Sequence, residues 1–141
     1  MNLDLLKDEW KKDSVIDDVL LDQSSMRIPQ LHHKYLVYHT EFSLLLKKKT
    51  LEHKKLTHEK WLYYSGKADP AVYVNKPFQH KILKSDVKNW IEVDSDIQKM
   101  TLELEYYHTI IHFLDEVMKQ IHQMSFNIKN AIAWRTFTGC V

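Results

Sequence analysis

The chain has 141 residues, a formal net charge of +1, 44% hydrophobic residues, two glycines, three prolines and one cysteine. That length suits one domain, or one domain with an extended arm, around a modest core. The only two glycines, Gly66 and Gly139, are far apart and neither opens a GxxxxGK(S/T) phosphate loop, which excludes an ATPase of that kind, and so few turn-forming residues argue for an all-α fold over a turn-rich β fold.

The lone cysteine, Cys140, has no partner for an intramolecular disulfide, so the chain fits a reducing compartment. No apolar run approaches the roughly 20 residues of a membrane span. The acidic start, MNLDLLKDEW, lacks the basic region and apolar core of a signal peptide, so a cytoplasmic protein is expected. Charge is segmental: residues 1–25 carry −4, residues 26–90 carry +8, residues 91–118 carry −6 and residues 119–141 carry +3. Different parts of the chain should therefore meet different partners.

Leu3, Leu6 and Trp10 recur at helical spacing behind a capping Asn2, which predicts a short helix over 3–12, interrupted at Asp13 and Ser14. Residues 15–23, VIDDVLLDQ, are acidic and apolar by turns and read equally as a linker, a second short helix or a surface for a basic partner. Ser24 and Ser25 are candidate caps for a long helix running to about Tyr64, with Gly66 as its stop; Pro29 must then lie in the first turn or kink the helix. Ile28, Leu31, Tyr35, Tyr38, Phe42 and Leu45 form an apolar seam in its first half. His32, His33 and His39 beside it read as core-edge side chains rather than ligands.

The second half of this helix changes character. Residues 47–66, KKKTLEHKKLTHEKWLYYSG, hold six lysines against two glutamates, with two histidines, a tryptophan and two tyrosines. At about 100° per residue, Lys49, His53, Lys60 and Tyr64 share one side, and Lys47, Lys54, His58 and Trp61 an adjoining one. Lys48 falls with Glu52 and Glu59. Rows of cations can follow a phosphate backbone while adjacent rings stack on unpaired bases, the combination that non-specific single-strand binding needs. Lysine suits that task because it supplies a mobile point charge rather than a base-reading fork. An ordinary solvated, lysine-rich helix face is the competing reading.

Beyond Gly66, KADPAVYVNKPF reads as a loop or short extended excursion, and Gln79 to Leu83 as a short helix or strand. Ser85 and Asp86 can cap a helix through Trp90 and Ile91. Lys76, Lys81, Lys84 and Lys88 either extend the basic surface or simply face solvent. From Asp94 to about Thr138 neither glycine nor proline occurs, and Ile97, Met100, Leu104, Tyr107, Ile111, Leu114, Met118, Ile121, Ser125, Ile128 and Ile132 alternate by three and four, a coiled-coil-like seam. Leu102, Tyr106, Ile110, Phe113, Val117 and Met124 form a second stripe. The expectation is a helical region over 1–92, with its basic element at about 24–66, and an oligomerisation helix over 93–141. One stripe would pack within the subunit and the other against neighbours in a ring oligomer; a monomeric bundle covering both is the competing architecture.

Catalytic chemistry is not expected. His108 and His112 share a helical face near Glu105 and Glu116, but the second position of HTIIH is Thr109, where a zinc protease needs a glutamate. The expectation is a non-enzymatic protein without metal or cofactor.

Three stretches carry a resemblance: KKDSVID after the acidic first helix, LYYSGKAD closing the basic helix, and VDSDIQ opening the last one. In these the chain resembles the UvsY family of recombination mediators of T4-like bacteriophages. The resemblance runs through most of the chain, and YYSG directly after a basic helix is its most specific part. It implies a ring-forming accessory protein of six or seven subunits in the cytoplasm of an infected bacterial host. Such a protein binds single-stranded DNA, contacts a RecA-like recombinase and the single-stranded-DNA-binding protein, and helps the first replace the second. The family's basic pair, two residues apart just upstream of the tyrosines, falls here on His58 and Lys60. The candidate DNA-binding set is Lys47, Lys48, Lys49, Lys54, Lys55, His58, Lys60, Trp61, Tyr64 and Lys67. The alternative is a structural coiled-coil protein that does not bind DNA.

Overall fold

The computed structural model describes residues 1–139, and among these it contains helices and no strand, as expected. Cys140, on which the redox reading rests, lies outside the described residues. In chain order the α-helices are α1 (Leu3–Asp13), α2 (Leu21–Tyr64), α3 (Pro70–Asn75), α4 (Val87–Glu92) and α5 (Ser95–Thr138), with a single 3₁₀ turn at Lys84–Asp86. No helix among the described residues is long and apolar enough to cross a membrane.

Two compact units divide the chain. One comprises residues 1–43 and 109–141, the other residues 44–108, so both long helices contribute to each and the division crosses the boundary at 92/93 drawn from the sequence.

In the first unit, Asn2 caps α1 by accepting from the Leu5 amide at 2.9 Å. Leu6 and Tyr35 are fully buried, as are Ile110, Leu114 and Val117 on the part of α5 that belongs to this unit. The predicted seam on α2 packs as its spacing implies: Leu31, Tyr35 and Phe42 are buried, and Ile28, Tyr38 and Leu45 half-buried. Trp10 and Tyr38 meet the Tyr35 ring edge-on at 5.4 and 5.8 Å. Asp13 accepts from Lys34 Nζ at 2.7 Å and from the Tyr35 hydroxyl at 2.9 Å, which ties the end of α1 to α2.

The start of α2 departs from the sequence reading. It lies at Leu21, ahead of Ser24 and Ser25; before it Asp17 folds the chain into a turn, its carboxylate accepting from the Val19 and Leu20 amides at 2.9 and 3.3 Å. Ser24 is instead buried inside the helix, its hydroxyl 3.2 Å from the Asp17 amide that donates to it. Residues 15–20 therefore form a connector with an aspartate-held turn, and residues 21–23 already belong to the helix. Pro29 sits in the third turn rather than the first, and its ring nitrogen cannot donate to the Ser25 carbonyl.

Along the second half of α5 the buried residues are Ile110, Leu114, Val117, Ile121, Met124 and Ile128. These too alternate by four and three, but they are drawn from both stripes identified in the sequence. One stripe per partner was the simpler expectation. The chain instead takes an edge of each stripe for its own core, so Leu114, Ile121 and Ile128, and Ile97 further up the helix, are enclosed by the chain itself. Met100, Leu104, Tyr107, Ile111 and Met118 are half-buried, and Ser125 and Ile132 exposed. His39 on α2 meets Asp115 on α5 across 2.8 Å at the edge of this core. His108 and His112 are exposed, and no metal-binding group of three or more side chains occurs among the described residues.

In the second unit, α2 ends as predicted. Gly66 adopts φ +76°, and the bonds Gly66 N to Tyr63 O (3.2 Å) and Lys67 N to Leu62 O (2.9 Å) form a Schellman motif. The stretch read as a loop contains α3, started by Asp69 accepting from the Ala71 amide at 3.0 Å with Pro70 in the first turn. Residues 79–83 are neither helix nor strand, and α4 begins without a side-chain cap from Asp86. Val87, Ile91 and Ile97 make the core here, with Leu56, Tyr64 and Ile82 packed against it.

Leu6→Ala empties a fully enclosed site in the first unit. It should cost about 2–5 kcal/mol of stability, read as a lower urea midpoint with an unchanged m-value.

Candidate nucleic-acid interface

The two rows of basic and aromatic residues on α2 have different fates. The row Lys49, His53, Lys60 and Tyr64 turns toward the start of α5, and every member engages it. Lys49 Nζ lies 3.3 Å from Glu103, and also 3.3 Å from Glu52 on its own helix. His53 Nε2 is 3.3 Å from the Thr101 hydroxyl. Lys60 pairs with Asp96 at 2.9 Å and Asp94 at 3.3 Å, and the Tyr64 hydroxyl donates to Asp94 at 2.6 Å.

Asp94 is the hub. One carboxylate oxygen receives the Tyr64 hydroxyl and the Lys60 ammonium, while the other accepts from the Asp96 and Ile97 amides at 2.9 and 3.3 Å and so caps α5. The side chain is only 8% exposed. Burial pushes its carboxyl up, but the Tyr64 hydroxyl, the Ile97 amide and Lys60 together outweigh burial and hold it below the usual carboxylate range. Burial likewise lowers Lys60, and hydrogen bonds to Asp96 and Asp94 more than restore it, leaving the ammonium above its ordinary range. Burial first, and then Asp94, push the Tyr64 phenol up. All three groups are held in one protonation state near neutrality.

Tyr64 also belongs to an aromatic cluster. Its ring meets Tyr63, Phe78 and Trp90 at 5.0, 5.1 and 6.0 Å, and Tyr63 stacks on Tyr73 at 5.4 Å. These rings lock the end of α2 against α3 and α4. Of the three aromatics considered for base stacking, Tyr63 and Tyr64 are therefore packing residues.

The adjoining row faces solvent. Lys47, Lys48, Lys54, Lys55, His58, Trp61 and Lys67 are exposed, and none of the ion pairs found among the described residues involves Lys47, Lys48, Lys54, Lys55 or Lys67. Trp61 is 40% exposed. The His58 ring lies parallel to it at 6.2 Å, and Lys67 Nζ stands 4.8 Å from its centroid. A strip of cations thus ends at a large accessible ring. The sequence-derived set of ten divides accordingly, with Lys49, Lys60 and Tyr64 removed to structural work because α5 supplies their partners. The pair expected at His58 and Lys60 is split: two residues apart is about 200° around a helix, so one faces out and the other in.

Asp94 was missed as a determinant. An aspartate immediately before a helix that begins Ser-Asp-Ile is a capping signal legible in the sequence; its second task, as counterion to Lys60, depends on a tertiary contact.

Chemically, the outward strip can attract a polyanion, and the exposed indole can stack on a planar base. The family described as recombination, repair and ssDNA binding protein UvsY matches residues 9–140 of this chain. The recombination protein uvsY of Enterobacteria phage T4 is 26% identical over 137 residues, spanning 97% of both chains. Two crystal structures of the bacteriophage T4 recombination mediator protein UvsY superimpose with TM-scores of 0.87 and 0.84, each at 25% identity. They cover 99% and 94% of this chain and 98% of each T4 chain.

Lys60→Ala should lower stability by about 1–3 kcal/mol, because it leaves the largely enclosed Asp94 carboxylate without its cation, whereas Lys54→Ala should leave the melting temperature unchanged. Since the folded-state pKa of Asp94 is depressed, its contribution is present at neutral pH and is lost as pH falls below about 4. In Asp94→Asn the melting temperature should depend less steeply on pH in that acid range.

Proposed function

The chain belongs to the UvsY family of recombination, repair and ssDNA-binding proteins, and on that footing we propose that it is a non-enzymatic recombination mediator. It binds single-stranded DNA without sequence preference and promotes loading of a RecA-like recombinase in place of the single-stranded-DNA-binding protein, in the cytoplasm of an infected bacterial host. The observation that carries the DNA-binding part is the sorting of the α2 rows. Lys47, Lys54, Lys55 and His58 point to solvent beside an exposed Trp61, while the neighbouring cations are neutralised internally.

The mechanism follows from charge and repetition. Each subunit offers a short cationic strip, a weak site whose affinity comes largely from counterion release and so falls steeply with salt. A homo-oligomer of six or seven subunits repeats that strip, and effective concentration converts weak sites into tight binding. The sides of α5 that the chain leaves half-buried or exposed, at Met100, Leu104, Ile111, Met118 and Ile132, support assembly through that helix. A strand held at several strips is bent or wrapped, which loosens the resident protein and presents a substrate to the recombinase. The acidic segments 1–25 and 91–118 are the proposed contacts for basic surfaces of these protein partners, less carboxylates such as those of Glu9, Asp13, Asp94, Asp96, Glu103 and Asp115, which are engaged with other parts of the chain.

Lys54→Ala/Lys55→Ala should weaken binding to a fluorescent oligothymidine about tenfold or more at low salt and reduce the log–log salt slope by about 1.4, at 0.7 per phosphate contact. Sedimentation should find the same oligomer as wild type. Unaltered affinity in the intact oligomer would remove DNA binding from this face and favour a purely structural protein. His58→Lys adds a permanent cation to the strip and should raise affinity and steepen the slope by about 0.7; an unchanged slope would place His58 off the strand's path.

A further inference from the structure

Beside Trp61 lies a groove of about 770 Å³ between the end of α2, α4 and the start of α5. Its floor is the apolar core surface at Val87, Ile91 and Ile97, and its outer wall is Leu102, 71% exposed. Lys84 and Lys88 stand at its rim, and its acid, Glu92, sits 4.0 Å from Lys88. Gln98 brings a side-chain amide into it. The groove belongs wholly to the second unit.

We propose that this groove is a nucleobase subsite: it takes an unpaired base turned out of the strand that runs along the α2 lysines, with Lys84 and Lys88 holding the adjoining phosphates. This inference rests on the single-strand-binding reading and deepens it by placing the bases as well as the backbone.

Three observations carry it. First, Trp61 belongs to both surfaces. It closes the row of Lys54 and His58 and also lines the groove, so a backbone on the row has a base-stacking ring at the groove's mouth. Second, the two borders of the cationic face differ. Stepping around α2 from Lys55 and Lys48 leads to Glu59 and Glu52, which repel phosphate, whereas stepping the other way leads through Trp61 to Thr57 and the groove. Third, the groove has the composition of a base site. An apolar floor accepts a ring face, the Gln98 carboxamide, whose nitrogen donates to the Glu92 carbonyl at 3.4 Å, keeps its oxygen and second N–H for a base edge, and cations stand at the rim where phosphates would pass. An acidic protein segment would use the same cations but would not need a planar apolar slot beside an indole.

The test uses the full-length protein with two probes of equal length and charge, an oligothymidine and an abasic oligonucleotide of deoxyribose phosphates. Oligothymidine should quench the tryptophan fluorescence of wild type, and this quench should vanish in Trp61→Phe, which separates Trp61 from Trp10, Trp90 and Trp134. The abasic strand should bind about tenfold more weakly, reflecting lost stacking. Lys84→Ala/Lys88→Ala changes only exposed side chains and should lower the salt slope by about 1.4 on oligothymidine. Leu102→Glu, at the groove wall, should abolish the difference between the two probes. Equal binding of both probes by wild type, with Lys54→Ala/Lys55→Ala still defective, would overturn the base subsite and leave the single-strand reading standing. Normal binding by Lys54→Ala/Lys55→Ala would overturn both.

Discussion

Asp94 sets the rotation of α2 in the second unit, and most of what that unit presents to solvent depends on it. A single carboxylate starts α5 through two amides and takes the Tyr64 hydroxyl and the Lys60 ammonium on its other oxygen. A helix held at Lys60 and Tyr64 cannot also turn Lys60 toward a ligand. Because Lys47, Lys54, His58 and Trp61 occupy the adjoining sector, fixing one row inward fixes the other outward. The same contact gives the end of α2 its docking site among the rings of Phe78 and Trp90.

This arrangement separates two uses of lysine that composition alone merges. Cations with carboxylate partners, such as Lys49, Lys60 and Lys34, hold segments together at the cost of losing their reach. Unpaired, mobile lysines contribute little to the fold and are well suited to a mobile polyanion, since a point charge on a flexible stem tolerates any backbone register. The likeness to the T4 mediator extends over nearly the whole of both chains at 26% identity, so the fold tolerates extensive change in side chains.

Much of the architecture was legible in the sequence. The 3.6-residue rhythm of α2 and α5, the asparagine cap of α1 and the stop at Gly66 are local signals, and each was read correctly because no tertiary contact opposed it. The errors have physical causes. Ser24 looked like a cap, but the helix already starts at Leu21, and Ser24 is buried with its hydroxyl accepting from the Asp17 amide of the preceding connector. The segment after Gly66 looked like a loop because two prolines flank it, yet Asp69 and Pro70 are together a helix start. The stripes on α5 were separable on a helical wheel but not in the packed chain, where Ile110 and Leu114 come from different stripes and are both fully buried. The basic and aromatic character of the end of α2 was legible, whereas which of its two rows turns inward was not, because that depends on Asp94 and Glu103, which reach Lys60 and Lys49 from far along the chain.

The most direct measurement is lysine reactivity mapped residue by residue, by brief reductive methylation of the oligomer with and without oligothymidine and mass spectrometric readout. The account predicts protection of Lys47, Lys54, Lys55 and Lys67 on binding, with Lys60 slow to react in both states because Asp94 and Asp96 already hold it. Protection confined to other lysines, or a Lys60 that reacts freely without DNA and is shielded with it, would contradict the claim that Asp94 turns one row inward and leaves the other to the strand.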